Sequence, residues 1–423
     1  MYTLRHLLMA GGTLFFAFPS FSAAQTFSSL FLFSGSDGQT PIAPVTIGNG
    51  VFYGTTTFGG SGGFGNVFSL TPPAAPGGAW SETVLHAFNG KDGFAPFGSV
   101  VIGAGGVLYG TTYLLGPAKW GTVFSLTPPV SPGGAWTETT LHAFSGTDAP
   151  GSTDGGAPQA PVTIGGGGVL FGTTTYGGTY GTGTVFALSP PAEAGGSWSE
   201  AVLHDFGAPG DGTEPIAGLV IGSDKTLYGT TYNGGAYGGG TVFSLKAPAA
   251  PGGTWTETVL YNFTGGADGD APYYGSLAIG SGGVLYGTTY TGGANDTGTV
   301  FSLTPPASAG GAWTEAVLYS FTYDGGKLPL GGLAIDSSGN LFGTTSTGGS
   351  PEDSAGTVFW LAPPSSPGGA WQYTVLHNFT STTEEEVPYA GVVLGPGGVL
   401  FGTTSGLNLA GSGNSGTVFA LKP

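Results

Sequence analysis

The sequence of 423 residues contains no cysteine, and only 7% of its residues are charged. The missing thiol excludes a disulfide scaffold and any thiolate metal centre. Arginine occurs once, at Arg5, and the acids outnumber the bases to give a net charge of −17. Nucleic acids and anionic lipids are held mainly through Lys and Arg, so neither is an expected partner. Past the N-terminal segment no apolar run approaches the roughly 20 residues of a membrane-crossing helix. No membrane insertion is therefore expected.

What the chain has in excess is glycine, with 86 residues, and proline, with 31. That combination usually signals low complexity. Disordered chains, however, are poor in aromatics and rich in charge, and here aromatics make up 13%. The absence of a Gly-X-Y period excludes collagen. A folded chain with Gly and Pro concentrated in turns is expected.

The first 24 residues differ from the rest. Arg5 and His6 precede an apolar run from Leu7 to Phe21, and Ser22-Ala23-Ala24 places small residues at −3 and −1 of a cut before Gln25. This pattern predicts a secretory signal peptide over 1–24 and export to the periplasm or beyond. Its removal would leave six lysines against 24 acids, a net of −18.

The phrase Tyr/Phe-Gly-Thr-Thr recurs with its glycine at 54, 110, 172, 229, 287, 343 and 402. A period above fifty residues marks a solenoid, propeller or array. Each unit carries four runs of strand character, bounded by Gly or Pro. In the third unit run A is Val162 to Ile164, B is Val169 to Thr174, C is Gly183 to Leu188 and D is Trp198 to Phe206. Four short antiparallel strands repeated seven times predict an all-β, seven-bladed β-propeller in one domain over 25–423. The seventh unit lacks run D, and Ser28 to Phe33 aligns with it, so the N-terminal strand is expected to complete the last blade. The blades are placed at 39–88, 94–144, 156–206, 213–263, 270–321, 327–379, and 387–423 with 26–33. The Trp that opens run D, as at 80, 136 and 198, is expected to pack between neighbouring blades.

The units Leu-Tyr-Gly-Thr-Thr, Gly-Thr-Val-Phe-Ser-Leu and Trp-Thr-Glu-x-Val-Leu, as at 227–260, resemble the GloVer tandem-repeat family of exported bacterial proteins. The resemblance covers all seven units and implies an exported protein. A C-terminal surface anchor, frequent in that family, is not expected here. The unit also resembles the kelch blade more loosely, through its diglycine and its Trp. The copper chemistry of some kelch-like propellers is not implied, because the Cys that such a site uses is absent.

Four groups of residues are candidates for function. Asp-Gly-x-x-Pro recurs between runs D and A at Asp37, Asp92, Asp154, Asp211 and Asp268, with Asp324 in a variant and Glu384 to Glu386 in the seventh copy. In such turns Asp bonds its own backbone. Seven acids on one face would also attract basic partners or a hard cation such as Ca²⁺, although no metal centre is expected and no cofactor is required. The B–C loops vary, and variable loops on a rigid scaffold are where function usually sits. Tyr113, Trp120, Tyr176, Tyr180, Tyr232, Tyr237 and Tyr290 supply aromatic surface there, suited to sugar rings. His86, His142, His204 and His377 share a position with Tyr261, Tyr319 and Phe31, which predicts a packing role. Glu82, Glu138, Glu200, Glu257 and Glu315 are expected to guard the outer strand edge.

No nucleophile elbow or phosphate loop is present. The expected function is a secreted, monomeric, non-enzymatic module that binds carbohydrate or a surface protein through the D–A/B–C face. A carbohydrate-active enzyme using rim carboxylates and a purely structural surface protein are the alternatives.

Overall fold

A computed structural model describes residues 25–423 apart from 76, 132, 147–152, 194, 251, 309, 350–354, 367, 381–386 and 407–414. The signal segment, Glu384 to Glu386, and the B–C loop acids Glu352 and Asp353 lie outside the described residues.

Seven four-stranded antiparallel sheets follow one another, each in the order A-B-C-D. In blade 3 these are Thr163–Ile164, Leu170–Thr174, Thr184–Ser189 and Ser199–Asp205. Blade 7 combines Val393–Leu394, Leu400–Thr404 and Thr417–Lys422 with the N-terminal strand Thr26–Leu32. Phe27 pairs with Leu421 and Leu32 with Thr417, so the ring closes as the register predicts. Closure removes a sheet edge that would otherwise be open to pairing.

The core lies between the blades. One cluster joins Val67 and Phe88 of blade 1 to Val100, Leu108, Phe124 and Leu126 of blade 2. The Phe ending each strand D meets the strand C Phe of the next blade edge-on, and Phe33 of blade 7 reaches Phe68 of blade 1 at 5.1 Å. Each such pair adds about 0.5–1.5 kcal/mol beyond the burial of its rings. Trp136 packs on Tyr53 and Trp198 on Tyr109, in each case across a blade seam.

The Gly of Tyr/Phe-Gly-Thr-Thr is not a turn residue. It lies in mid-strand B opposite the strand C Phe, and a Cβ on Gly287 would fall 2.6 Å from Phe301 Cζ. The first Thr of the motif ties blades together. Thr173 Oγ1 donates to Ala217 O at 3.0 Å and Thr288 Oγ1 to Gly331 O at 3.2 Å, both on the next blade. The exception is Thr230, whose buried Oγ1 has no partner among the described residues. In the following blade Pro272 stands seven residues before Ile279 of strand A, whereas Pro215 and Pro329 stand six before Ile221 and Ile335.

Candidate functional site: a tyrosine-lined mouth on the central channel

The D–A and B–C loops share one face, as expected. Gly155–Gly156 pairs with Tyr176–Gly177, and Gly212–Thr213 with Asn233–Gly234. The residue before each run A proline stands in the left-handed region, with φ between 51° and 59° at Thr40, Ala95, Ala157, Glu214, Ala271, Leu328 and Val387. Such conformations are strained for side chains other than Gly. They persist because each of these residues is pinned. The Ala271 N–H donates to Gly239 O of the preceding blade, and its carbonyl accepts from the Tyr290 N–H of its own blade. This stitching fixes the two residues that flank it in space, the one after the Pro and the one after Gly-Thr-Thr.

Those two positions build the mouth of the central channel. The channel itself is a cavity of about 210 Å³ lined by strand A segments of all seven blades. Ile42, Phe97, Gln159, Ile216 and Tyr389 face it directly after their prolines, and Tyr274 faces it from the second place after Pro272. A wider cavity of about 650 Å³ opens beside it, walled by Tyr232, Tyr273, Tyr274, Tyr290 and Tyr389. Tyr273 is the hub, with ring centroids 5.1 Å from Tyr232, 4.3 Å from Tyr274 and 5.4 Å from Tyr290. The Tyr274 hydroxyl donates across the channel to Gln159 Oε1 at 2.9 Å. Gln159 Nε2 in turn donates to Thr175 Oγ1 at 2.7 Å.

Burial pushes the phenols of Tyr113, Tyr232, Tyr274 and Tyr389 upward, and neighbouring tyrosines add to it. Glu214 and Asp270 raise Tyr232 further. The hydroxyls therefore stay neutral at every ordinary pH, as donors and acceptors on an aromatic wall.

Of the aromatics singled out in the sequence, Tyr232 and Tyr290 line this mouth, and Tyr113 stands behind Phe97 at 5.0 Å. Tyr176, Tyr180 and Tyr237 are more open, at 38%, 54% and 68% exposure, and lie farther along the B–C loops. Trp120 corrects the expectation of an exposed ring. It packs on the core of the seam between blades 2 and 3 beneath Gly146, where a Cβ would meet its ring at 2.5 Å.

Tyr273, Tyr274 and Tyr389 were missed by sequence reasoning. Their signal was available, because the residue after the run A proline runs Ile42, Phe97, Gln159, Ile216, Tyr273, Leu330, Tyr389 and is the least uniform position of that segment.

The aspartates stand away from the mouth, where strand D ends at the outer rim. Asp92 Oδ1 accepts from Asn89 N, Asp154 Oδ2 from Ser145 N, Asp211 Oδ2 from Gly207 N, Asp268 Oδ2 from Thr264 N and Asp37 Oδ1 from Ser34 N. Each thus holds its own turn. Asp324 is exposed. The strand D histidines are more than packing residues. His86 bonds Asp92 at 3.0 Å, His142 bonds Asp154 at 3.3 Å and His204 bonds Asp211 at 2.9 Å. Tyr261 donates to Asp268 at 3.0 Å in the same place.

The glutamates after Trp also depart from expectation. They are turned into the seams rather than outward, because Glu82 is two residues from Trp80 and shares its face. Each meets the Asp of the preceding blade. Burial and then that Asp push Glu82, Glu257 and Glu315 up to about 7. In the last seams aromatic stacking replaces the acids, with Tyr373 on Tyr319 and Phe27 on His377, both at 4.0 Å.

Fold and mouth together define a closed seven-bladed propeller with an aromatic pocket beside its central channel. The family model of the Gloeobacter/Verrucomicrobia repeat matches residues 5–207 and 192–419, and the chain belongs to that family. No curated protein matches the sequence. Among solved structures, the extracellular domain of a B. thetaiotaomicron protein assigned as a hybrid two-component system is similar at 10% identity and a TM-score of 0.53. That match covers 93% of this chain and 39% of the other, so the chain spans about two fifths of that protein. A Bacteroides uniformis protein assigned as a 6-phosphogluconolactonase is similar at 14% identity and a TM-score of 0.51, covering 88% and 98%. At these identities the likeness is one of fold. Among the described residues no helix is long and apolar enough to cross a membrane.

Proposed function

We propose that the protein is an exported, monomeric binding module that captures a neutral carbohydrate at the channel mouth. The observation that carries this reading is the cavity of about 650 Å³ walled by Tyr232, Tyr273, Tyr274, Tyr290 and Tyr389. Its size suits a small-molecule site. Flat aromatic faces take the C–H faces of a sugar ring, while the phenol hydroxyls meet its hydroxyl edge. Among the described residues the walls carry no cation that would select an anionic ligand. The face is stiff, since its backbone is stitched from blade to blade, and a preorganised pocket loses little entropy on binding.

A glycan array run beside reducing-sugar assays tests this. Binding without turnover is expected, and substitution of Tyr273 by Ala abolishes it. Silence in both assays overturns the carbohydrate reading. Turnover overturns the non-enzymatic part and points to Glu214 and Asp270, the acids nearest Tyr232.

A further inference from the structure

We propose that the seam between blades 3 and 4 is a binding site for a transition-metal dication such as Zn²⁺, held by His204, Asp211 and Glu257. Among the described residues this is the one group of three His, Asp or Glu side chains whose ligand atoms all lie within 4.8 Å of one another. His204 and Asp211 come from the end of blade 3, and Glu257 from strand D of blade 4. The site therefore exists only where the two blades meet.

Three features make the cluster suitable for a metal. His204 Nε2 and Asp211 Oδ2 are 2.9 Å apart, near the edge of a coordination polyhedron with bonds of about 2.0–2.2 Å. Glu257 Oε1, like its counterparts in Glu82, Glu200 and Glu315, is a buried oxygen with no hydrogen-bond partner among the described residues, and here alone a His and an Asp ligand atom lie beside it. His204 keeps 22% of its side chain exposed, which leaves an entry path and room for water ligands. One imidazole with two carboxylates is a donor set for Zn²⁺ or a similar ion, whereas Ca²⁺ wants six or more oxygens. On binding, His204 coordinates through Nε2 as the neutral Nδ1–H tautomer. Glu257 coordinates as the carboxylate and releases any proton it holds to solvent.

The sibling seams supply internal controls. At blades 1 and 2, Glu138 Oε1 accepts from Thr140 Oγ1 at 3.2 Å and is already used. At blades 4 and 5, Tyr261 replaces the histidine.

The test is calorimetric titration of the purified chain with ZnCl₂ at about pH 8. One Zn²⁺ per chain with affinity on the order of 1 µM is expected. Glu257→Gln and His204→Tyr each weaken it by about tenfold or more, and the second places at blade 3 the residue that blade 4 already carries. Glu138→Gln leaves binding unchanged. The absence of saturable binding up to about 1 mM, or equal binding in both seam variants, overturns the proposal. Should a variant fail to fold, X-ray absorption on the zinc-loaded wild type decides. One nitrogen and two carboxylate oxygens beside water support the site, and any other protein ligand set contradicts it.

Discussion

Glu315 offers a stability effect whose sign runs against intuition. Its carboxyl is turned into the seam between blades 4 and 5, with Oε1 buried and without a hydrogen-bond partner among the described residues. Burial, and secondarily Asp268, push its pKa from 4.5 to about 7. A carboxyl whose folded pKa is raised contributes fully below the unfolded value and loses that contribution as pH rises through the folded one. The window here is therefore about pH 4.5 to 7. The shift corresponds to about 3.4 kcal/mol at most, and partial exposure roughly halves it. Glu315→Gln keeps the shape and removes the charge. It should stabilise the protein by about 1.5 kcal/mol at pH 8 and by no more than about 0.5 kcal/mol at pH 5. Urea unfolding at the two pH values measures this. A variant less stable than wild type at pH 8, or one gaining equally at both, would refute the argument.

Other consequences follow from the same seams and strands. Glu82, Glu200 and Glu257 share the direction of Glu315, so the wild type should unfold at higher urea at pH 5 than at pH 8. His377 opposes this: burial lowers it to about 4, and its contribution, present above 6.5, fades as pH falls toward 4. Thr288→Val should cost about 1 kcal/mol by breaking a buried blade-to-blade bond, whereas Thr230→Val should be neutral or stabilising, and paired thermal melts separate the two. Gly287→Ala should cost about 1–3 kcal/mol by overpacking against Phe301, again read by melting. Phe33→Ala, at the ring closure, should cost about 3–5 kcal/mol; a loss below 1 kcal/mol would mean that the N-terminal strand is not integral to blade 7.

The architecture was legible because each blade repeats the same alternation of apolar residues and the same Gly and Pro boundaries. Even the split seventh blade was readable, from a missing run D at one end and a spare one at the other. The Gly of Gly-Thr-Thr was harder, since its reason is a Phe ring 14 to 17 residues on and not a local turn. The seam glutamates were misjudged as edge guards although Trp80 and Glu82 sit two apart on one strand face. The mouth was half visible. Tyr113, Tyr232 and Tyr290 stood out in loops that break the repeat, while Tyr273, Tyr274 and Tyr389 were hidden in the approach to strand A. Their importance arises from seven such positions converging on the axis, which spacing along the chain does not display. The rim aspartates attracted notice by repetition, yet their carboxylates are engaged with their own turns and histidines.

The central claim is that ligand enters at the tyrosine mouth. Hydrogen–deuterium exchange with and without a saturating glycan from the array tests it most directly. The account predicts protection around residues 230–232, 272–275, 289–291 and 387–390, with the A–B and C–D links unchanged. Protection confined to those links, or to the outer strands, would contradict it.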